Sequence, residues 1–239
     1  MPRCFEPHIE VLPAAQREIW PRLRALPQLS FVLYGGTAVA LYFGHRESLD
    51  FDFFRAEPLD KSGLRKALPL LSNATIIQDG IDTFAVSVAM PAGPVKLSFF
   101  GGIGFGRVSD PLQTADGTLL VASIGDLMAT KLKAILDRAE ARDYRDLAAM
   151  LRHGASLERG LAAFKAMFKG EPATVLRALG WFKDGDVASL GEQDRKTLLA
   201  ARDRLGDLPA IAIAAGTLAV PTGDCDDMVE FPLVASSPR

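Results

Sequence analysis

The feature that most constrains this 239-residue chain lies between Phe31 and Phe54. An apolar run ending at Tyr34 meets the turn Gly35-Gly36-Thr37, a short amphipathic segment follows, and a second apolar run carries Asp50 and Asp52 at alternate positions. In a strand, residues two apart point to the same face and stand roughly 7 Å apart along the chain, so both carboxylates project together while Phe51 and Phe53 enter a core. Hard divalent cations take oxygen ligands, and such a pair converging with phosphates suits one or two magnesium ions about 4 Å apart for in-line displacement at phosphorus. Alternation is also the ordinary mark of a half-buried strand, and an edge strand with one wet face fits the same residues. The glycines tip the balance. Gly35 and Gly36 permit a sharp turn and let backbone amides approach a phosphate, and Thr37 offers a hydroxyl at the start of the next helix.

The pattern of elements changes once along the chain. Short apolar runs broken by Gly, Pro and Asp predict strands at 31–34, 49–54, 75–78, 83–89, 95–100 and 118–121, with helices at 14–26 and 59–68. From Ser123, a candidate N-cap, the period is helical, with further helices starting near Asp143, at Ser156 and after Pro172. The expected organisation is an α/β (α+β) catalytic domain over 1–122 and a helical domain over 123–208. An Ala-, Gly- and Pro-rich tail over 209–239 is read as extended or partly disordered.

Three charged positions in this frame invite a functional reading. Lys131 falls on the apolar stripe of Ile124, Leu127, Met128 and Ile135, so it either snorkels to solvent or meets an anion in a cleft. Asp143, followed by Asp146, suits a helix N-cap with an acid three positions on, and equally a catalytic carboxylate. Arg46, between the glycine turn and the aspartates, fits a phosphate partner or a salt bridge with Glu47 or Asp50.

Composition excludes several classes. At 49% hydrophobic and 23% charged the chain is of ordinary globular type, and a net charge of −2 gives no global nucleic-acid signature. Residues 131–169 do carry nine Lys and Arg against five Asp and Glu, a local excess that suits a polyanion or simply solvated helix faces. Cys4 and Cys225 sit far apart without framework spacing, so the expectation is a reducing, cytoplasmic setting with neither disulfide nor zinc site. The start of the sequence does not read as a signal peptide, and no apolar run reaches membrane-spanning length. The glycine-rich stretch 101–106 lacks dinucleotide-binding spacing, and neither a P-loop nor a nucleophile elbow occurs.

Taken together, several motifs resemble the AbiEii/AbiGii toxin family, a branch of the nucleotidyltransferases with a DNA polymerase beta-like core. They are the Gly-Gly-Thr turn, the run from Gly44, His45 and Arg46 through Ser48, Asp50 and Asp52 to Phe54, the strand at 95–100, the lysine-bearing stretch 129–135, and Arg142-Asp143-Tyr144-Arg145-Asp146-Leu147. The resemblance spans roughly residues 30–185. It implies a nucleotidyltransferase-like mixed sheet with flanking helices, and magnesium-dependent transfer of a nucleoside monophosphate from a nucleoside triphosphate to an acceptor hydroxyl. Asp50 and Asp52 would hold Mg2+ and Lys131 would stabilise charge in the nucleotide cleft, while Gly35, Gly36, Thr37 and Arg46 would bind the nucleotide. It further implies a toxin with a cognate antitoxin protein, tRNA being one candidate acceptor. A small-molecule nucleotidyltransferase and a catalytically weak nucleotide-binding module share the same core. One departure stands out: such enzymes carry a third carboxylate on a later strand, whereas the matching strand here presents Lys96, Ser98 and Phe100 on one face and no acid. Asp143, or less directly Asp82, is the candidate to complete the set.

Overall fold

A computed structural model of the protein describes residues 2–225 and 227–231. The chain forms two compact units, one built from residues up to Ser123 together with Ala214–Val229, the other from Ile124–Ile213. The first unit contains β1 (Arg3–Phe5), α1 (Ala14–Ile19), β2 (Val32–Tyr34), α2 (Gly35–Phe43), β3 (Asp50–Phe54), α3 (Lys61–Ala67), β4 (Thr75–Asp79), β5 (Thr83–Met90), β6 (Gly93–Phe100), β7 (Leu112–Thr114) and β8 (Leu120–Val121). The second holds α4 (Ile124–Asp137), α5 (Ala141–Arg152), α6 (Leu157–Phe168), α7 (Pro172–Ala178) and α8 (Glu192–Asp203); β9 (Asp227–Met228) then returns to the first.

Among the described residues nine strands make one mixed sheet in the order β4-β5-β6-β3-β2-β8-β7-β1-β9. At its centre β3 runs antiparallel to β2 and parallel to β6. Burial along β3 alternates as its sequence predicts, with Phe51 and Phe53 fully buried and the residues between them half-buried. Phe53 stacks on Phe51 at 5.9 Å and on Phe99 of β6 at 5.4 Å, and Phe31 meets the edge of Phe99 at 5.4 Å. Burying each such ring contributes about 1.5–3 kcal/mol, and a one-residue slip of β3 would exchange these phenylalanines for carboxylates. The register is therefore held from behind the sheet.

Local signals account for most helix ends. The Ser156 hydroxyl accepts the Arg159 N–H at 3.1 Å and caps α6. The 14–26 helix ends early, passing into a 3-10 turn at Trp20–Leu23 where Pro21 cannot continue the α-helical ladder. Nor does α5 begin at Asp143. It starts at Ala141, whose N–H is taken by the Asp186 carboxylate at 2.6 Å, a partner 45 residues away that no local pattern announces.

The cysteines require a correction. Cys4 and Cys225 form a disulfide across 221 residues, with Cα atoms 5.7 Å apart. They meet because β9 pairs in parallel with β1 at the sheet edge, placing Cys4 opposite Met228. Sequence spacing carries no trace of that pairing, and the inference of a reducing compartment from unpaired cysteines falls with it. The same strap comprises most of the stretch read as a tail. Ala214 bridges Arg107, whose guanidinium donates to the Thr217 and Ala219 carbonyls at 3.2 and 3.3 Å, and the Gln113 amide donates to the Gly223 carbonyl at 2.9 Å. Residues 232–239 of that expected tail lie outside the described residues. No helix among the described residues is long and apolar enough to cross a membrane.

Closure of so long a loop is worth about 5 kcal/mol when its entropy is lost only from the unfolded chain, and native disulfides of this kind commonly deliver less. Cys225→Ser is expected to lower the denaturant midpoint of the first unit by about 2–4 kcal/mol in stability under oxidising conditions. Adding a thiol reductant to the wild type should reproduce the shift and leave the variant unmoved. Both arms are read by urea titration.

Candidate active site

The site is built where β2 ends and α2 begins. Gly35 adopts φ +76°, a conformation that strains any residue with a Cβ, and a Cβ there would stand 2.6 Å from Asp52 Oδ2. The glycine is required twice over, by its backbone and by the carboxylate against it. Tyr34, paired across the ladder with Asp52, supplies no side-chain cap to α2, so Asp52 lies at the positive end of a nine-residue helix. A Cβ on Gly36 would likewise collide with the Arg46 guanidinium. Arg46 also donates to the Glu47 carbonyl at 2.8 Å.

Thr37 has a different position from the one its sequence suggests. Its side chain is fully buried; the hydroxyl bonds the Ser48 hydroxyl at 2.9 Å and donates to the Asp50 carbonyl. That tie fixes the entry of β3 relative to the first turn of α2 and uses the hydroxyl that a phosphate would need. Ser48 itself continues the alternate spacing of Asp50 and Asp52, a signal that was legible but not drawn upon.

Across the ladder from the two aspartates stand Lys96, opposite Asp50, and Ser98, opposite Asp52. Lys96 Nζ lies 3.5 Å from Asp50 Oδ2 with both side chains partly solvated, and Ser98 is buried. Among the described residues no group of three or more His, Cys, Asp and Glu is arranged to hold a metal ion. Asp82 accepts the Leu59 N–H at 2.9 Å and lies against Gly102, tying two loops together. Beyond Asp52 on the same face, Phe54 stacks on Tyr34 at 4.9 Å and meets the edge of Phe100 at 5.1 Å and the ring of Phe105 at 6.3 Å. This aromatic cluster follows from the same alternation and was not singled out from sequence.

The helical unit gathers its charges separately. Lys131 is 5% exposed, and its ammonium bonds Asp143 at 2.7 Å and Asp146 at 2.6 Å, both carboxylates being fully buried. Arg138 adds a bond to Asp143 at 2.8 Å. Lys131 thus neither snorkels to solvent nor stands with its charge unmatched, and Asp143 is an ion-pair partner in place of an N-cap. The sequence placed Lys131 inward correctly but could not show what it meets. Arg138 and the pairing role of Asp146 were missed, since only folding of α5 back on α4 brings them together. Burial opposes ionisation of Asp143, but the Lys131 charge and the Arg138 and Lys131 hydrogen bonds outweigh it and hold its pKa below the ordinary aspartate value. Of the nine cations in 131–169, Lys131, Lys133, Arg138, Arg142 and Arg152 pair with carboxylates, which shrinks the local positive footprint.

The structure therefore assembles Gly35, Gly36, Thr37, Arg46, Asp50 and Asp52 in the first unit and Lys131 with Asp143 in the second. Comparison with known proteins adds identity to this geometry. A family model described as nucleotidyl transferase AbiEii toxin, type IV toxin-antitoxin system, matches residues 22–215. An uncharacterised protein of Aquifex aeolicus (strain VF5), aq_aa25, is 28% identical over 158 residues, covering 64% of this chain and 74% of that protein.

Two outcomes follow from the geometry. Gly35→Ala should destabilise the first unit by about 2 kcal/mol from the left-handed backbone alone, with a further loss as Asp52 is displaced. Lys131→Met leaves two buried carboxylates without their ammonium and should cost the helical unit about 3–5 kcal/mol. Because the Asp143 pKa is depressed, its contribution is fully present above the unfolded-state value of about 3.9 and is lost as pH falls through the folded-state value. Wild-type helical ellipticity should accordingly hold from pH 7 to about 4 and fall below it, whereas Lys131→Met, whose buried carboxylates have lost the charge that favours their ionisation, should be least stable near pH 7 and regain stability as pH falls toward about 5.

Proposed function

The chain belongs to the AbiEii nucleotidyl transferase toxin family of type IV toxin-antitoxin systems and is a nucleotidyltransferase, and on that premise we propose that Asp50 and Asp52 are its metal-holding carboxylates. The observation that carries this reading is the placement of both acids on one face of β3, with Asp52 against the Gly35 turn at the start of α2. Two partly solvated carboxylates suit Mg2+, which takes one or two such ligands and completes its sphere with phosphate oxygens and water. When bound, the metal neutralises charge on the transferring phosphoryl group.

The remaining work falls to the chain. Backbone amides at Gly35 and Gly36 receive phosphate oxygens at the positive end of α2, and the Arg46 guanidinium above Gly36 supplies a charge-assisted donor. Thr37 acts as a positioning residue through Ser48 and the Asp50 carbonyl. Phe54, Phe100 and Phe105 offer aromatic surface for the nucleobase. The acceptor hydroxyl oxygen attacks the α-phosphorus, the bond to the β-phosphate oxygen breaks, pyrophosphate leaves, and the acceptor proton passes to a carboxylate or to solvent.

The Lys131 cluster supports a placement role for Asp143, setting α4 against α5, in preference to general-base duty. A cognate antitoxin follows from the family's toxin-antitoxin setting, and tRNA remains the acceptor we would test first. Nucleoside triphosphate supply places the reaction in the cytoplasm, where reductants oppose the Cys4–Cys225 bond.

Calorimetric titration of nucleoside triphosphates with magnesium should give metal-dependent binding to the wild type and at least a tenfold loss for Asp50→Ala and Asp52→Ala. Label transfer from α-labelled triphosphate to bulk tRNA should fall in parallel. Equal binding by all three proteins would remove the acidic pair from the site.

A further inference from the structure

On the strand beside the acidic pair no acid faces Asp50 or Asp52, and the residue opposite Asp50 is a cation. On β6 the residues opposite Asp50 and Asp52 are Lys96 and Ser98, so the Lys96 stem rises from the same face as the two acids. Its ammonium lies 3.5 Å from Asp50 Oδ2, and the two side chains are 42% and 34% exposed. Those exposures matter, because a lysine so solvated is held by one long charge-assisted hydrogen bond and its flexible four-carbon stem lets the ammonium exchange partners. Two carboxylates and the Lys96 ammonium sum to one net negative charge, where three carboxylates would carry three, and the Arg46 guanidinium against the neighbouring Gly36 lowers the negative charge further. Such a site attracts a bare divalent cation weakly, since the cation must approach against Lys96.

We propose that Lys96 is the resident counter-ion of the acidic pair and makes metal entry depend on the triphosphate, its ammonium leaving Asp50 for a phosphate oxygen as the nucleotide arrives. The triphosphate brings the anionic charge that a third carboxylate would otherwise supply. Asp50 is thereby released to the metal at the moment the substrate is present, and the free enzyme spends little of its time loaded with metal alone. This inference rests on the reading of Asp50 and Asp52 as metal ligands, and its test separates the two.

Manganese binding is measured by the paramagnetic resonance of the free ion, with metal alone and with each of the four α,β-methylene nucleoside triphosphates. In the wild type, metal alone should bind weakly and the best analogue should raise its affinity at least tenfold. Lys96→Met should bind manganese alone about tenfold more tightly, and the enhancement by the analogue should shrink by a similar factor. Lys96→Arg, which keeps the charge, should retain the wild-type coupling. Circular dichroism checks that each variant is folded, and Lys96→Gln replaces the methionine variant if that protein does not fold. Unchanged metal-alone affinity in Lys96→Met, with binding abolished in Asp50→Ala, would overturn the counter-ion role while leaving the metal site intact. Wild-type manganese affinity in both Asp50→Ala and Asp52→Ala would instead defeat the underlying assignment, and the role of Lys96 with it.

Discussion

The aromatic packing behind β3 is the constraint on which the rest of the first unit depends. Phe51 and Phe53 are held by Phe99 and by one another, and that contact fixes which residues face the opposite side of the sheet. A strand's side chains alternate with period two, so a register that buries the phenylalanines must present Asp50 and Asp52 together. The front of the sheet then answers with its own requirements: a left-handed glycine where Asp52 approaches, and a buried threonine hydroxyl that anchors the start of the strand. Chemistry on one face is thus specified by apolar contacts on the other.

The helical unit uses charge where the first unit uses aromatic area. Removing an ammonium and two carboxylates from water is costly, and only mutual hydrogen bonding at 2.6 to 2.8 Å makes their burial tolerable. Well-packed apolar side chains would often stabilise such a site as well or better, so the cluster's contribution is to specificity. Lys131 and Asp143 were grouped from sequence with the nucleotide chemistry. Their observed partners are each other, with Asp146 and Arg138 completing the cluster.

What sequence disclosed and what it concealed divide along the range of the interactions. The alternation in β3, the glycine turn and the Ser156 cap depend on residues within a few positions of one another, and each was legible before any fold was known. The start of α5, the partner of Lys131 and the cysteine pair depend on residues 12 to 221 positions apart. Asp143 shows the difficulty well: its local pattern satisfies the rule for an N-cap, yet Asp186 performs that task and leaves Asp143 to the ammonium. Lys96 shows the converse. Its place on the carboxylate face was visible in the alternation of β6, but its meaning required the parallel register that sets it opposite Asp50.

The bond between Cys4 and Cys225 alters the topology of the molecule as well as its stability. Between those two residues the backbone is a covalently closed ring, and the whole helical unit is a segment of that ring in place of a terminal appendage. A peptide bond cut anywhere in Ile124–Ile213 therefore opens the ring without separating the pieces. The strap of β9 stays attached to the sheet edge, and the two fragments travel as one body until a thiol exchanges with the disulfide. Tension applied between residues 4 and 225 is carried by the sulfur bridge, so the sheet and the helices feel none of it. Where the first and last strands among the described residues lie side by side, proteolysis and reduction become a two-key lock: either event alone leaves the covalent assembly whole.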